Sequence, residues 1–318
     1  MRAFVFPGQG SQKVGMGVDL AGASLAAREV FEEVDDALGQ ALFRIMREGP
    51  DEELTLTENA QPAIMANAIA VLRVLERECG LVLADKADFV AGHSLGEYSA
   101  LCAAGSFSLA DTARLLKLRG QAMQAAVPVG LGAMAALLGA DIDKAQALAE
   151  AAAQSPLPGR EREVCTVAND NDPTQVVISG HAGAIERAIG LVKEFGIKRG
   201  LKLPVSAPFH CQLMQGAADA MAAALERTPP GALRVPLFAN VTAAMVTDPV
   251  EEQRLLVEQV TGRVRWRESA IAMAEAGVEH FVELGGKVLG PMIKRSAGEV
   301  ETASIVTMDE IEELAKGL

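Results

Sequence analysis

Short apolar runs alternate with longer segments of helical periodicity along much of the chain. Residues 3–6 (Ala-Phe-Val-Phe) and 89–91 (Phe-Val-Ala) are continuous apolar runs of strand length, and each is followed by a glycine-containing loop. Between them, residues 60–77 carry apolar side chains three or four positions apart, which is the spacing of a helix. Apolar strands that alternate with helices predict an α/β fold with a mostly parallel sheet.

The middle of the chain has a different pattern, in which shorter elements follow one another in the order βαββαβ. Strands are predicted at residues 132–138, 164–168, 175–179 and 199–203, and helices at residues 143–153 and 184–195. A turn is predicted at residues 169–173 (Asn-Asp-Asn-Asp-Pro), because these residue types favour turns. The order of elements is that of a ferredoxin-like domain.

This unit interrupts a larger α/β domain, which resumes at Pro204. The later elements are an apolar run that ends at Asn240, helices at residues 251–260 and 267–276, and a strand at residues 281–284. We therefore predict a large catalytic domain formed by residues 1–127 and 204–318. Residues 128–203 are predicted to form an inserted small domain.

Composition and charge narrow the classes of function. Half of the 318 residues are hydrophobic, which is enough for a sizeable core, whereas aromatic residues make up 4%. The chain has 29 Lys and Arg against 42 Asp and Glu, a formal net charge of −13. An acidic chain poor in aromatic residues lacks the surface that binds nucleic acids or anionic membranes, so we expect neither as a partner. A local basic patch is compatible with this balance.

The cysteines and the N-terminus bear on location. The residues Cys79, Cys102, Cys165 and Cys211 form no CxxC pair and no metal-ligand spacing, so we expect reduced, mostly buried thiols and no metal. The chain starts directly with a strand pattern, and therefore neither a signal peptide nor a membrane span is expected. These features predict a cytoplasmic protein.

The first candidate for chemistry is the segment Gly-His-Ser-Leu-Gly at residues 92–96, which matches G-x-S-x-G between a predicted strand and a predicted helix. In this context the glycines permit a sharp turn that holds Ser94 at the strand tip. The N–H group of Leu95, at the helix N-terminus, is then placed to stabilise an oxyanion. The alternative is an ordinary glycine-rich turn in which the serine caps the helix.

A serine nucleophile needs a general base, and the sequence contains four histidines. His93 adjoins Ser94, but neighbouring residues of a strand point to opposite faces, so it is poorly placed as the base. We interpret His181 as a solvated residue near a helix start and His280 as structural. His210 lies in an irregular segment where the chain returns to the large domain, and it is the candidate base by elimination. No acid that would orient it is evident.

A charged side chain falls on the apolar face of the helix predicted from Leu109 to Ala126. At 100° per residue, Arg119 lies between Leu115 and Met123. A buried guanidinium keeps its charge and needs an anion or several carbonyl oxygens. One interpretation is an ion pair with an acid of this chain. The other is a bidentate clamp on a substrate carboxylate, which would select malonyl over simple acyl groups.

Six segments occur in a specific order: Phe-Pro-Gly-Gln-Gly-Ser-Gln at 6–12, Gly-His-Ser-Leu-Gly-Glu-Tyr at 92–98, Arg-Gly at 119–120, Gly-Ala-Met at 132–134, Pro-Phe-His at 208–210 and Gly-Gly-Lys-Val-Leu at 285–289. Together they resemble the bacterial malonyl-CoA:acyl carrier protein transacylases over nearly the whole chain. The last segment is one residue shorter than the usual GxG turn of that family. The resemblance implies an α/β-hydrolase-like large domain with a ferredoxin-like small domain.

The resemblance also implies roles for individual residues. Ser94 would be acylated, with His210 as base and acid. The backbone N–H groups of Gln9 and Leu95 would form the oxyanion hole. In this family a main-chain carbonyl replaces the acid of a triad, and it would come from Gln259 here.

Further residues are expected to bind substrate or to line the same site. Arg119 would hold the malonyl carboxylate. Asn169 corresponds to an asparagine near the family's site, and His93 adjoins the nucleophile. The ring of Phe209 would leave less room for the branch of a methylmalonyl group.

These implied roles predict an acyltransferase of fatty acid biosynthesis. It would move malonyl from malonyl-CoA to acyl carrier protein by a ping-pong reaction, as a monomer and without metal or cofactor. An acidic carrier protein would dock on the basic residues Lys193, Lys198, Arg199 and Lys202, unless these form an ordinary solvated strand edge. Two alternatives stay open: a serine thioesterase or esterase, and a noncatalytic scaffold subunit of a synthase.

Overall fold

A computed structural model describes residues 1–157, 160–205 and 207–318, with the backbone alone described for residues 155–157, 160 and 161. The elements are, in chain order, β1 Arg2–Phe6, α1 Val18–Ala23, α2 Leu25–Leu38, α3 Leu42–Glu48, α4 Asp51–Thr55, α5 Thr57–Arg77, α6 Leu83–Lys86, β2 Phe89–Gly92, α7 Gly96–Ala103, α8 Leu109–Ala126, β3 Gly132–Leu138, α9 Ile142–Ala153, β4 Gln154–Leu157, β5 Arg160–Arg162, β6 Cys165–Asp172, β7 Gln175–His181, α10 Ala182–Leu191, β8 Arg199–Lys202, a 3₁₀ turn Gln212–Met214, α11 Gln215–Arg227, β9 Leu237–Ala239, β10 Ala244–Val246, α12 Pro249–Thr261, α13 Trp266–Glu275, β11 His280–Leu284, α14 Leu289–Ala297, β12 Glu301–Ile305 and α15 Met308–Gly317.

The larger sheet has the strand order β10-β9-β2-β1-β11-β12. Its neighbouring strands run parallel, except that β10 is antiparallel to β9. Residues 3–6 of the central strand β1 are fully buried. Phe4 and Phe6 pack into the core that contains α5 and α8, whereas Ala3 and Val5 pack into the core that contains α13 and α14. Burial on both faces explains why this strand is a continuous apolar run.

The smaller sheet is antiparallel, with the order β6-β7-β3-β8. This is the ferredoxin-like strand order, and α9 and α10 pack against the sheet around a hydrophobic core of their own. The predicted fold class, a mostly parallel α/β sheet with an inserted antiparallel βαββαβ unit, is confirmed. The domain boundaries drawn at residues 127/128 and 203/204 stay a prediction.

The turn predicted at residues 169–173 was wrong. Strand β6 continues to Asp172, and the chain turns at residues 173–174. The Asn and Asp residues favour a turn locally, but tertiary partners hold them extended. Asp170 forms an ion pair with Arg267, and Asp172 forms one with Arg295; both carboxylates are buried. Asn169 forms a β-bridge with Val264.

Other predicted elements agree with the structure to within a few residues. The helix predicted over residues 184–195 begins at Ala182 and ends at Leu191. The helix predicted from Leu109 to Ala126 has those bounds, and Ser108 caps it by accepting a hydrogen bond from the backbone N–H of Asp111. In the described part of the chain, no helix is both long and apolar enough to cross a membrane.

The carboxyl ends of three parallel neighbours, β1, β2 and β9, meet at one edge of the larger sheet. The loop after β1 contains Gln9, the turn after β2 contains Ser94, and Asn240 directly follows β9. Ligand sites in parallel α/β sheets form at this edge, because the loops that follow the strands come together there.

Candidate active site

Ser94 sits in the sharp turn between β2 and α7 and has a left-handed backbone with φ 55°. The turn is so tight that a Cβ atom on Gly92 would lie 1.9 Å from the backbone of Gly96. A Cβ atom on Gly96 would lie 2.2 Å from the carbonyl oxygen of Phe6. Both glycines are therefore required, and the strained serine is presented at the strand tip as in a nucleophile elbow.

The side chain of Ser94 faces His210. Its Oγ atom lies 2.7 Å from Nε2 of the histidine, and Nδ1 of the ring lies 2.8 Å from the main-chain oxygen of Gln259. A carbonyl oxygen only accepts, so Nδ1 carries the hydrogen and Nε2 is free to accept the serine proton. Burial and the nearby charge of Arg119 lower the pKa of His210 to about 3, which keeps the ring neutral.

Arg119 of α8 reaches the same point and is 1% exposed. Its Nη1 atom donates to Oε1 of Gln61 over 2.8 Å, and its Nη2 atom donates to Oε1 of Gln259 over 2.9 Å and to Oγ of Ser94 over 3.1 Å. Among the described residues, no carboxylate forms an ion pair with this guanidinium, and its Nε atom has no acceptor. The arginine thus presents a positive charge beside the serine without a carboxylate in direct contact.

Two backbone N–H groups are placed near Ser94 without a protein acceptor in the described part of the chain. These groups belong to Gln9, in the loop after β1, and to Leu95, immediately before α7. The N–H of Ser94 itself is occupied, since it donates to Oδ1 of Asn240 over 2.8 Å. Free donors at a helix N-terminus can bind a developing oxyanion.

A cavity of about 240 Å³ lies between the two sheets, and it is bordered by Ser94, His210, Arg119, Gln61, Gln9 and Leu95. Met134 of β3 and Asn169 of β6 line it from the smaller sheet, and Phe209 lines it beside His210. Leu203 also lines it, in the segment that connects the smaller sheet to the rest of the chain. The structure therefore brings Asn169 and Phe209 to the same cavity as Ser94.

The other three histidines have partners other than Ser94. His93 also borders the cavity, but its Nε2 atom lies 2.8 Å from Oδ1 of Asn171, and burial lowers its pKa. His181 accepts a hydrogen bond from the backbone N–H of Val164 at the end of β7. His280 begins β11 and contacts Glu301. The histidine that contacts Ser94 is His210.

Two site residues were missed by the sequence reasoning. Asn240 connects to the serine turn at both ends of its amide, since Oδ1 accepts from Ser94 and Nδ2 donates to the carbonyl of Gly92 over 2.7 Å. Gln61 holds Arg119 from α5. A signal existed for Asn240, because it directly follows an apolar strand and polar residues at carboxyl ends of parallel strands often serve a site. No comparable signal marks Gln61.

Within the described residues, no three His, Cys, Asp or Glu side chains lie together in a way that could hold a metal ion. The cysteines carry no disulfide; Cys79 is exposed, and Cys102, Cys165 and Cys211 are buried.

A mostly parallel α/β sheet with a serine on a strand-to-helix turn, facing a buried histidine, defines the class of serine-nucleophile enzymes. A family model described as the acyl transferase domain matches residues 3–306. The malonyl CoA-acyl carrier protein transacylase of Escherichia coli (strain K12) is 43% identical over 318 residues, which is 99% of this chain and 98% of that protein. The chain therefore belongs to the malonyl CoA-acyl carrier protein transacylase family of acyl transferases.

Solved structures agree with this assignment and with the resemblance predicted from the motifs. The acyl-carrier-protein-S-malonyltransferase of Bartonella henselae is 51% identical, with a TM-score of 0.94 and coverage of 99% of this chain and 98% of that one. A malonyl-transacylase solved in complex with its type II PKS acyl-carrier protein is 37% identical, with a TM-score of 0.93 and coverage of 100% and 99%.

Proposed function

We propose that this protein transfers a malonyl group from malonyl-CoA to the phosphopantetheine thiol of an acyl carrier protein, through a malonyl-serine intermediate. Relatives that match nearly the full length carry this activity in their names. The observation that carries the proposal is the position of the Ser94 hydroxyl, which contacts both a neutral imidazole and a guanidinium that has no carboxylate in direct contact. The first is the base that acylation needs, and the second is a partner for the free carboxylate of malonyl.

The first half-reaction acylates the enzyme. Nε2 of His210 takes the proton of Ser94 as Oγ attacks the thioester carbon. The negative charge that develops on the carbonyl oxygen is bound by the N–H groups of Gln9 and Leu95. The C–S bond then breaks, and the coenzyme A sulfur leaves with the proton that the imidazolium returns.

The second half-reaction repeats these steps with a new thiol. His210 removes the proton from the phosphopantetheine thiol of the carrier protein, and the sulfur attacks the ester carbon of malonyl-Ser94. The same two N–H groups bind the oxyanion, the C–Oγ bond breaks, and Oγ recovers a proton from the imidazolium. The main-chain oxygen of Gln259 accepts the Nδ1 hydrogen throughout, so the ring keeps its orientation.

Selection of malonyl is assigned to Arg119 and Phe209. The guanidinium is held by Gln61 and Gln259 through two of its nitrogen atoms, and its remaining hydrogen bond, to Ser94 Oγ, is released when the serine is acylated. A malonyl carboxylate would then accept hydrogen bonds from the guanidinium. The buried ring of Phe209 borders the cavity and restricts branched acyl groups. Asn169 and His93 are assigned to the cavity wall.

The carrier protein is proposed to dock on the basic residues of the α10–β8 segment. Lys193, Lys198, Arg199 and Lys202 are all exposed, and Lys202 is the one nearest in sequence to a cavity-lining residue, Leu203. An acidic carrier protein could therefore rest on this segment while its phosphopantetheine arm enters the cavity. We further propose that the protein acts as a monomer in the cytoplasm, as its free thiols support.

Intact-mass spectrometry tests the chemistry. Malonyl-CoA without acceptor should add one malonyl group, which peptide mapping should locate at Ser94, and the adduct should be absent from Ser94→Ala. The control is Ser99→Ala, because Ser99 is a buried serine of α7 without a hydrogen-bond partner among the described residues.

Other outcomes would support the alternatives. Rapid turnover of malonyl-CoA without a carrier thiol would indicate a thioesterase, since water would then be the acceptor. The absence of any adduct would indicate a noncatalytic subunit. A stable adduct that an added carrier thiol discharges is the result that malonyl transfer requires.

A further inference from the structure

Two acidic side chains are buried against each other near the serine turn and have no part in the proposed chemistry. Glu97 of α7 and Glu252 of α12 are both 0% exposed. Their carboxyl groups lie within hydrogen-bond reach of each other. Apart from this contact, Oε1 of Glu97 and both carboxyl oxygens of Glu252 receive no hydrogen bond from a described residue. Two carboxylates contain acceptors alone, so the contact needs a proton.

The surroundings decide which carboxyl keeps that proton. Burial raises the pKa of both Glu97 and Glu252, because a buried carboxylate loses its hydration, and the adjacent charge of Glu97 raises the pKa of Glu252 further. The positive charge of Arg119 favours ionisation of Glu97, whereas Glu252 faces the further negative charge of Glu251. Tyr98 also faces the pair, but burial raises its pKa and keeps it neutral. Glu97 is therefore the carboxylate and Glu252 the acid.

The carboxylate of Glu97 connects the parts of the site. Its Oε2 atom accepts from the backbone N–H of Asn240 over 2.9 Å and from Nε2 of Gln259 over 3.1 Å. The Asn240 side chain holds the backbone N–H of Ser94, and the main-chain oxygen of Gln259 holds His210. One buried charge thus lies two hydrogen bonds from both the nucleophile and the base.

The charge of Glu97 also determines how the Gln259 amide is oriented. A carboxylate only accepts, so the NH₂ end of the amide must face Glu97, and a guanidinium only donates, so the oxygen end must face Arg119. The NH₂ end makes a second bond, to the carbonyl oxygen of Ser94 over 3.0 Å. A neutral group at position 97 would weaken one of the three contacts that fix this orientation, the only one of the three in which the amide faces a negative charge.

We propose that Glu97 and Glu252 form a positioning pair that shares one proton, donated by Glu252 to Glu97. The carboxylate held in this way fixes the side chain of Gln259 and, through it, the arginine. This inference rests on the proposed function, because it assigns the pair to the serine chemistry of the same site.

The pair makes the site sensitive to alkaline pH. The folded-state pKa lies above that of a carboxyl in the unfolded chain, so the shared proton stabilises the fold at low pH, and this stabilisation is lost as the pH rises through the folded value. Loss of the proton leaves two buried negative charges in contact and disrupts the bond between Glu97 and the Gln259 amide. Acylation and thermal stability should therefore decline together on the alkaline side.

The test compares two substitutions of Glu252. In Glu252→Gln an amide N–H replaces the shared proton and does not titrate, whereas Glu252→Leu leaves Glu97 without a donor. Acylation of Ser94 by malonyl-CoA, without carrier protein, is followed by rapid quench and intact mass from about pH 6 to about pH 10, the range in which the pair should lose its proton. The control is Glu258→Gln, the same change at an exposed position of α12.

We expect Glu252→Gln to acylate within about threefold of the wild type at neutral pH and to lose the alkaline decline. Glu252→Leu should be at least about tenfold slower at neutral pH, the scale of a buried charge left without its hydrogen bond. An alkaline decline unchanged in Glu252→Gln, or equal rates in the two variants, would overturn the inference.

Failure of the proposed function would look different. If the wild-type protein takes up no malonyl group, the proposed serine chemistry is wrong. The shared proton of Glu97 and Glu252 can still be tested. Thermal unfolding serves that purpose, because the melting temperature of the wild type should decline toward alkaline pH more steeply than that of Glu252→Gln. Melting temperatures of the wild type and Glu252→Gln that change in parallel across the pH range would show that the pair shares no proton.

Discussion

Nδ1 of His210 lies 2.8 Å from the main-chain oxygen of Gln259, where a triad would place an acidic side chain. A neutral carbonyl orients the ring as an acid would, but it provides no negative charge to stabilise the imidazolium. The nearby positive charge of Arg119 acts in the opposite direction. The proposed base is therefore well oriented and weakly basic. Gln259 has two separate roles, because its main-chain oxygen orients His210 and its side chain holds Arg119.

Gln259→Ala separates those tasks. The variant keeps the carbonyl that holds His210 and loses the side-chain bonds to Arg119, Glu97 and the backbone of Ser94. We expect kcat/KM for malonyl-CoA to decrease about 10- to 100-fold, the scale of hydrogen bonds to charged groups, with the larger part in KM. Gln253→Ala, on the partly exposed face of the same helix, is the control. A loss as complete as that of His210→Ala would show instead that the side chain orients the base.

The lowered pKa of His210 predicts how the rate of the first half-reaction depends on pH. Because burial first, and Arg119 second, lower this pKa to about 3, the base stays neutral through the range in which a free histidine titrates. The acylation rate constant kcat/KM is measured in Glu97→Gln, because burial raises the pKa of Glu97 to about 7, and it should show no inflection near pH 6.5, the ordinary value for histidine. Steady-state acylation measured between about pH 5 and about pH 8 checks this expectation. An acid limb centred at the ordinary histidine value would contradict it.

The same shift has a consequence for stability. A folded-state pKa below the unfolded one contributes stability that is present above the unfolded value and is lost as the pH decreases toward the folded value. The melting temperature of the wild type should thus decline more steeply below about pH 6.5 than that of His210→Gln. His93, whose pKa burial also lowers, is present in both proteins, so the difference between them reports His210.

The parts of the site that could be predicted follow from local rules. Glycines at positions 92 and 96 leave room for a tight strand-to-helix turn, and helix periodicity alone places Arg119 among apolar neighbours. Each of these inferences depends on residues within one or two turns of chain. The continuous apolar runs of β1 and β2 likewise predicted a mostly parallel sheet, and in the structure both strands contribute to the cores on its two faces.

The parts that could not be predicted depend on partners distant in sequence. Glu97 occupies the first turn of a helix, where an exposed acid is common, yet it is buried against Glu252. Residues 169–173 contain the strongest turn signals of the middle segment, but ion pairs such as Asp170 with Arg267 keep that strand extended. Local propensity cannot reveal such contacts, because the partner's position is itself a result of the fold.

Arg119→Ala should reduce the preference for malonyl over acetyl. Removing one partner of a buried charge pair costs roughly 2–5 kcal/mol, which corresponds to a decrease of at least about 30-fold in the malonyl-to-acetyl ratio of kcat/KM. Both substrates are measured in the same assay, so a general loss of folding would leave the ratio unchanged. Arg114→Ala, an exposed arginine of the same helix, is the control. An unchanged ratio would show that another group binds the carboxylate.

Charge reversal on the basic segment should affect the second half-reaction alone. Lys198 and Arg199 are exposed and form no ion pair with a described residue, whereas Lys202 contacts Glu186 over 3.4 Å, so the first two are the better sites to change. The double substitution Lys198→Glu and Arg199→Glu should raise KM for the carrier protein about 10-fold or more at low salt, because rim charges act on encounter and are screened. Acylation by malonyl-CoA should keep its wild-type rate, which separates docking from chemistry. Lys316→Glu on α15 is the control, since it reverses the charge of an exposed lysine outside the basic segment. A KM that is unchanged, or that does not approach the wild-type value as salt is added, would place the carrier protein on a different face.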